Sequence, residues 1–194
     1  MKQNFEWAGD FKEGFARVKL SDDTWNFIDT KGNLLLKQNF EWVYEFKDGL
    51  AKVQLSDGTY NFIDRQGNLL STQNFKWIYN FKEDFAKVEL SDGTYNFIDT
   101  KGNLLSKEQN FKWIDNFQDG FVRAQLSDGT YNLLDRQGNL LSKQNFKWVG
   151  DFEDGFTIVQ LSNGTWYCID KDLNFYDYES KTPVPNSFDY IQKN

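Results

Sequence analysis

The chain has 194 residues, and aromatic side chains alone make up 18% of it, with 19 Phe, 9 Tyr and 7 Trp; such residues bury large areas and suit pleated sheets. A net charge of −7 repels phosphate backbones and anionic bilayers, so neither direct nucleic-acid binding nor membrane binding is expected, and no apolar run approaches the ~20 residues of a spanning helix. The absence of histidine and the single cysteine, Cys168, exclude histidine triads, histidine metal sites and an internal disulfide.

The segment Met1 to Trp7 has no apolar stretch of a secretory signal and leads straight into a repeat, so a cytoplasmic location is expected. The tetrapeptide Gln-Asn-Phe-Glu/Lys begins at Gln3, Gln38, Gln73, Gln109 and Gln144, at intervals of 35, 35, 36 and 35 residues, Glu108 being the extra one. One repeat domain over 1–194 is therefore expected, with repeats at 3–37, 38–72, 73–108, 109–143 and 144–185 and a partial sixth copy or cap over 186–194. Repeats 1 and 3 share the run Asp29 to Asn33 and Asp99 to Asn103, whereas repeats 2 and 4 share Asp64 to Asn68 and Asp135 to Asn139. That alternation points to duplication of a two-repeat unit. Repeat 5 diverges most: Leu173 takes the place of a glycine and an insertion with Pro183 and Pro185 follows, as suits a terminal unit that caps an array.

Repeat 3 shows the pattern of one copy. Phe75, Trp77, Tyr79 and Phe81 alternate with Lys76, Ile78 and Asn80, a period of two that predicts a strand over 75–81. Lys82 to Asp84 is a turn. Ala86, Val88 and Leu90 alternate with Lys87 and Glu89 to give a second strand. Asp92-Gly93 is a hairpin signal, and Tyr95 to Ile98 form a third strand. The run Asp99 to Asn103 makes a second turn, with Gly102 suited to a left-handed position, and Leu104-Leu105 supply a short fourth strand.

Each copy thus reads as an antiparallel meander of three or four strands, and the fold class is all-β. Phe97 and Ile98 are sequence neighbours that must point to opposite faces of their strand, so each sheet needs a cover on both sides, which stacked copies provide. Two architectures meet this demand: a small five-bladed β-propeller, which is favoured, and an open twisted stack of hairpins. The extra strand at Ser187 to Ile191 suits either, sealing a ring or covering the end of a stack.

The run Phe46 to Val53 (Phe-Lys-Asp-Gly-Leu-Ala-Lys-Val), followed by Tyr60-Asn61-Phe62-Ile63-Asp64 or Trp25-Asn26-Phe27-Ile28-Asp29, resembles the WG-repeat family of bacterial proteins. The family has a glycine where this chain has Asn26, Asn61, Asn96 and Asn132, and Tyr167 in repeat 5. The resemblance covers nearly the whole chain; it implies a propeller-like fold and a binding or interaction role, with no catalytic residues to carry over.

The residues themselves point away from catalysis. Cys168 aligns with Phe27, Phe62, Phe97 and Leu133, the place of a small core residue. The glycines sit singly in turns, so no phosphate cradle is present. Asp29, Asp64, Asp99, Asp135 and Asp170 recur with a glycine three residues on in the first four copies; a carboxylate made equivalent five times serves its own turn rather than glycoside hydrolysis. The Ser-Asp-Gly turns at Asp57, Asp92 and Asp128 lack the dense oxygen spacing of a calcium loop. No metal, cofactor or catalytic residue is therefore expected.

Binding remains. Trp7, Trp42, Trp77, Trp113 and Trp148 either pack between copies, the favoured reading, or present platforms for stacking sugars. Two residues after each Trp stand Gly9, Tyr44, Tyr79, Asp115 and Gly150. That variety suits a solvent-facing column, and Tyr44, Tyr79 and Asp115 are its candidate contact residues. The expected function is a non-catalytic module for a protein partner with a basic surface, covered by an acidic inhibitor. The alternatives are a lectin-like module with one weak carbohydrate site per repeat, or a structural spacer.

Overall fold

The computed structural model describes residues 4–184; the expected sixth copy over 186–194 falls outside them. The described residues form strands and no helix. They build five antiparallel sheets, one per repeat. The first is β1 (Trp7–Ala8), β2 (Phe15–Lys19) and β3 (Trp25–Asp29); the second β4 (Trp42–Val43), β5 (Ala51–Gln54) and β6 (Tyr60–Ile63). The third is β7 (Trp77–Ile78), β8 (Phe85–Glu89) and β9 (Tyr95–Asp99); the fourth β10 (Trp113–Ile114), β11 (Phe121–Gln125) and β12 (Tyr131–Asp135). The fifth has four strands: β13 (Trp148–Val149), β14 (Phe156–Gln160), β15 (Trp166–Asp170) and β16 (Phe175–Asp177). In every sheet the strands lie in chain order, so each repeat folds on itself as a meander.

The chain divides into two compact units, residues 1–92 with 98–103, and residues 93–97 with 104–194. In the first, Trp25, Phe27, Phe40, Val43, Phe46, Val53 and Ile63 form one buried cluster drawn from repeats 1 and 2. In the second, Leu133, Phe146, Val149, Phe152, Val159, Ile169 and Phe175 do the same for repeats 4 and 5. Both clusters mix adjacent copies because the third strands are apolar on both faces: Phe62 and its neighbour Ile63 are buried, and so are Leu133 and its neighbour Leu134.

The structure differs from the sequence reading in the first strand. The alternation over 75–81 predicts one seven-residue strand, but only Trp77 and Ile78 pair with β8. Phe75 instead exchanges both backbone hydrogen bonds with Tyr60 of the preceding repeat, at 2.8 and 2.9 Å. The segment is shared between two sheets, so a continuous alternation serves two partners. Phe40, Phe111 and Phe146 make the same exchange with Trp25, Tyr95 and Tyr131. The short fourth strand is a single bridge in most copies, such as Ile63 to Leu69, and becomes a full strand only as β16.

A buried asparagine locks each such crossing. Asn61 is fully buried. Its Nδ2 donates to the carbonyls of Ser71 (3.0 Å) and Gln73 (3.1 Å) and to Oδ1 of Asn74 (2.9 Å). Its Oδ1 accepts from the backbone N–H of Phe62 (2.8 Å) and of Ser71 (3.2 Å). Asn26, Asn96 and Asn132 repeat this clamp, with Asn39, Asn110 and Asn145 in the place of Asn74. All polar groups of a buried amide are thereby satisfied. The buried asparagine thus fastens the third strand to the start of the next copy.

The turns are held by carboxylates. Asp29 accepts from the backbone N–H groups of Lys31 and Asn33 and from the Asn33 amide, each at 2.9 Å, and Asp64, Asp99, Asp135 and Asp170 bind their own turns alike. The Asn33 amide, then the backbone N–H groups, hold the Asp29 carboxyl below its ordinary value. The Thr59 hydroxyl and N–H do the same for Asp57, and those of Thr130 for Asp128. A carboxylate whose folded pKa is depressed contributes stability that is present above its unfolded value and lost as pH falls through the folded one. Since the chain has no histidine, thermal midpoints should stay level from pH 7 to about 5 and drop below about pH 4. Melting curves by circular dichroism across that range test this; a loss already complete by pH 5 would contradict it.

Candidate binding face

The first residue of each first strand is a tryptophan, and in all five copies it is partly exposed: Trp7 43%, Trp42 37%, Trp77 36%, Trp113 38% and Trp148 42%. In the last four copies the next residue points inward, Val43, Ile78, Ile114 and Val149 being buried, so period two puts the indole on the opposite, outer face. One flank of the ring of Trp7, Trp42, Trp77 and Trp148 rests on an aromatic residue opening a third strand. In the first unit Trp25 lies between Trp7 (5.5 Å) and Trp42 (4.5 Å), and Tyr60 lies beside Trp77 (4.7 Å). In the second unit Trp148 meets Trp166 at 5.6 Å. Trp42 and Trp77 thus brace against the preceding copy with one flank and remain partly exposed.

A basic residue stands beside this face in four copies: Arg17, Lys52, Lys87 and Arg123, at the centre of the second strand. Arg17 lies over Trp7 (5.6 Å) and Arg123 over Trp113 (5.1 Å). Lys52 sits over Tyr44 (4.1 Å), with Trp77 at 5.0 Å and Tyr60 at 5.9 Å; burial pushes its pKa down. Three of these cations also reach across to the following copy. Arg17 donates to the Val43 carbonyl, Lys52 to that of Ile78 and Arg123 to that of Val149, at 3.4, 3.4 and 2.8 Å. Sequence reasoning missed these four residues. Their signal was present as a basic residue between the two small apolar residues of every second strand except the last, where Ile158 stands.

The candidate column two residues after each Trp is placed as follows. Tyr79 is exposed at 41%, with the Lys87 ammonium 4.6 Å from its ring. Tyr44 is half-buried beneath Lys52. Asp115 accepts from Arg123 at 3.0 Å, and Arg123 also pairs with Asp151 at 2.8 Å. At Gly9 and Gly150 the indole folds down over the backbone: an added Cβ would lie 2.6 Å from Trp7 and 2.7 Å from Trp148.

Chemically, the face offers flat apolar rings, fixed cations and carboxylates. Among the described residues no cluster of three or more histidine, cysteine or acidic side chains could hold a metal ion. Asp57 and Asp128 of the Ser-Asp-Gly turns are engaged by Thr59 and Thr130. Cys168 is buried, as its alignment with core positions requires.

Among solved structures, the chain is similar to the computationally designed Ika8 protein, with a TM-score of 0.39 and 19% identity over 94% of this chain and 64% of that one. It is also similar to BamB from Moraxella catarrhalis (TM-score 0.35, 11% identity, 92% and 62% covered) and to the C-terminal WD40 domain of Sif2 (TM-score 0.35, 12% identity, 89% and 56% covered). The chain therefore spans less than two thirds of the length of each of these. No curated protein matches it in sequence. The WG containing repeat, by contrast, matches residues 4–25, 25–60, 62–95 and 133–166. Those segments make up more than half of the chain, and it belongs to the WG containing repeat family.

Proposed function

We propose that this chain is a non-catalytic binding module whose outward tryptophans take a protein partner with a basic surface. The observation that carries the reading is the recurrence of a half-exposed indole at the same place in every copy, each set on a rigid strand. Trp, Tyr and Arg are the side chains that dominate protein interfaces, and Trp77, Tyr79 and Arg17 are of these kinds. The net charge of −7 steers a basic partner towards the module and makes its docking sensitive to salt.

The test compares wild type with Trp42→Ala/Trp77→Ala in capture from host lysate, at low and high salt, with circular dichroism as a control for folding. The expected result is one or few proteins of basic pI, retained at low salt by wild type and lost both in high salt and in the variant. Equal capture by the variant, or capture indifferent to salt, would count against this face.

The second reading, a carbohydrate module, is favoured by the cluster at Trp113, where Arg123 and the carboxylate of Asp115 flank an open ring. Donor, acceptor and platform together suit a sugar. Quenching or blue shift of tryptophan emission by a panel of glycans would support it, and an unresponsive spectrum would remove it.

A further inference from the structure

Adjacent copies are joined by a second aromatic contact, remote from the tryptophans. The phenylalanine that precedes each first turn inserts into the preceding sheet, against the residues that open its second strand and centre its third. Phe46 meets Phe15 and Phe27, each at 4.8 Å, and Phe81 meets Phe62 at 4.9 Å. Within the second unit Phe117 meets Phe97 at 5.0 Å, and Phe152 meets Phe121 at 6.0 Å. Each seam is a plug in a socket.

At two positions in this series the aromatic residue is exposed. Phe11, the plug of the first repeat, is 50% exposed. In the fifth repeat the socket residues are Phe156, which is 46% exposed, and Cys168. Together with Asp151, Glu153, Thr157, Ile158, Tyr176 and Lys181 they line a mainly apolar cavity of about 490 Å³. Smaller residues enlarge this socket: Cys168 replaces the Phe or Leu of the other copies. Lys181 sits over its floor, with Nζ 3.3 Å from the Cys168 sulfur, and its charge is set against the carboxylates of Asp151 and Glu153 at the rim, so the apolar rings rather than charge make the fit.

We propose that the groove of the fifth repeat receives Phe11 from a second copy of this chain, continuing between molecules the contact made at each internal seam. Plug and socket are different surfaces, so the association is heterologous and copies add head to tail. Ile158 stands where Arg17, Lys52 and Arg123 tie the internal seams through a hydrogen bond to the next copy, so the contact between molecules is weaker and concentration-dependent. It does not use the tryptophan face and stands or falls apart from the partner proposed above.

The test uses the full chain, with mass followed by sedimentation across a range of concentrations and the single thiol of Cys168 labelled with a maleimide. Mass is expected to rise with concentration and labelling to slow several-fold as it does. Phe11→Asp removes the plug and Phe156→Asp the socket, and each alone should remain monomeric. Mixed together they should form a dimer that grows no further, because one intact plug and one intact socket remain. Equal melting temperatures of the variants exclude unfolding as the cause. A wild-type chain that stays monomeric at every concentration overturns the proposal, including one whose Cys168 is shielded by its own Phe11. So does a Phe11→Asp chain that associates like wild type.

Discussion

Asn61→Asp is expected to destabilise the protein by about 3–5 kcal/mol, the range for a buried charge left without a partner, against a total of about 5–15 kcal/mol for a whole domain. The amide Nδ2 donates to three oxygens, of Ser71, Gln73 and Asn74. A carboxylate of the same shape presents a negative oxygen to two carbonyls that cannot turn away. Only protonation relieves the repulsion, so burial raises the folded pKa of the new aspartate above its unfolded value. A group shifted in that direction is least harmful below its unfolded pKa and most harmful above its folded one. The deficit relative to wild type should therefore shrink as pH falls from 7 to 4, opposite in sign to the trend of the parent. Asn61→Ala carries no charge; it leaves buried groups unsatisfied and should cost roughly 2–4 kcal/mol at any pH. Urea titrations of the three proteins at pH 7 and pH 4.5 separate these cases. Equal deficits for Asp and Ala at both pH values would show that the clamp is wet rather than buried.

The second large effect concerns a pair of glycines with the same backbone conformation and different surroundings. Gly32 and Gly102 occupy equivalent turns, both at φ 83°. A Cβ at Gly32 would meet nothing within 4 Å, whereas one at Gly102 would lie 2.1 Å from the Leu70 carbonyl oxygen and 2.6 Å from its carbon. Gly32→Ala should cost about 1–2 kcal/mol, the penalty of a left-handed alanine. Gly102→Ala adds a backbone clash that no rotamer relieves, and should exceed about 4 kcal/mol, the region reserved for specific steric faults. Thermal denaturation of the two variants measures the difference directly. Similar losses would mean that the turn of the third repeat stands off the Leu70 segment. Leu173 occupies the corresponding place in repeat 5 at φ 62° and packs against the second core cluster, so that turn keeps a side chain where Gly102 has none.

Much of this was legible before any coordinates. A strict period of 35 or 36 residues, an alternation of two and turn residues at fixed offsets gave five antiparallel meanders and their hairpins, because those signals act over a few residues. Phe97 and Ile98, adjacent and both apolar, foretold sheets covered on both sides. The double use of the 75–81 segment was hidden, since alternation is the same whether Phe75 and Trp77 pair with one strand or with two. The role of Asn61 was hidden too: its partners lie 10 to 13 residues on, and a polar residue among aromatics reads as a departure until its bonds are counted. For the candidate face, the recurring tryptophans and the variable column with Tyr44, Tyr79 and Asp115 emerge from comparing copies. Arg17, Lys52, Lys87 and Arg123 could have been found by the same comparison, but they read as the polar side of an alternating strand.

The asparagine clamp bears on how the number of copies can change. Its donor sits in one copy and its acceptor in the opening residues of the next, so a cut at any single point breaks at most one of them. Excision of a whole period, residues 38–72 for example, would bring Asn26 to face Asn74 in place of Asn39, with the same groups at the same separation along the chain. Loss or gain of a complete period therefore leaves every lock closed, and the one-residue insertion of Glu108 is absorbed as well, Asn96 still reaching Asn110 at 2.8 Å. Unequal crossing-over between such genes would generate longer and shorter arrays whose joints are already made, and the extent of the recognition surface can drift without the fold having to be solved again.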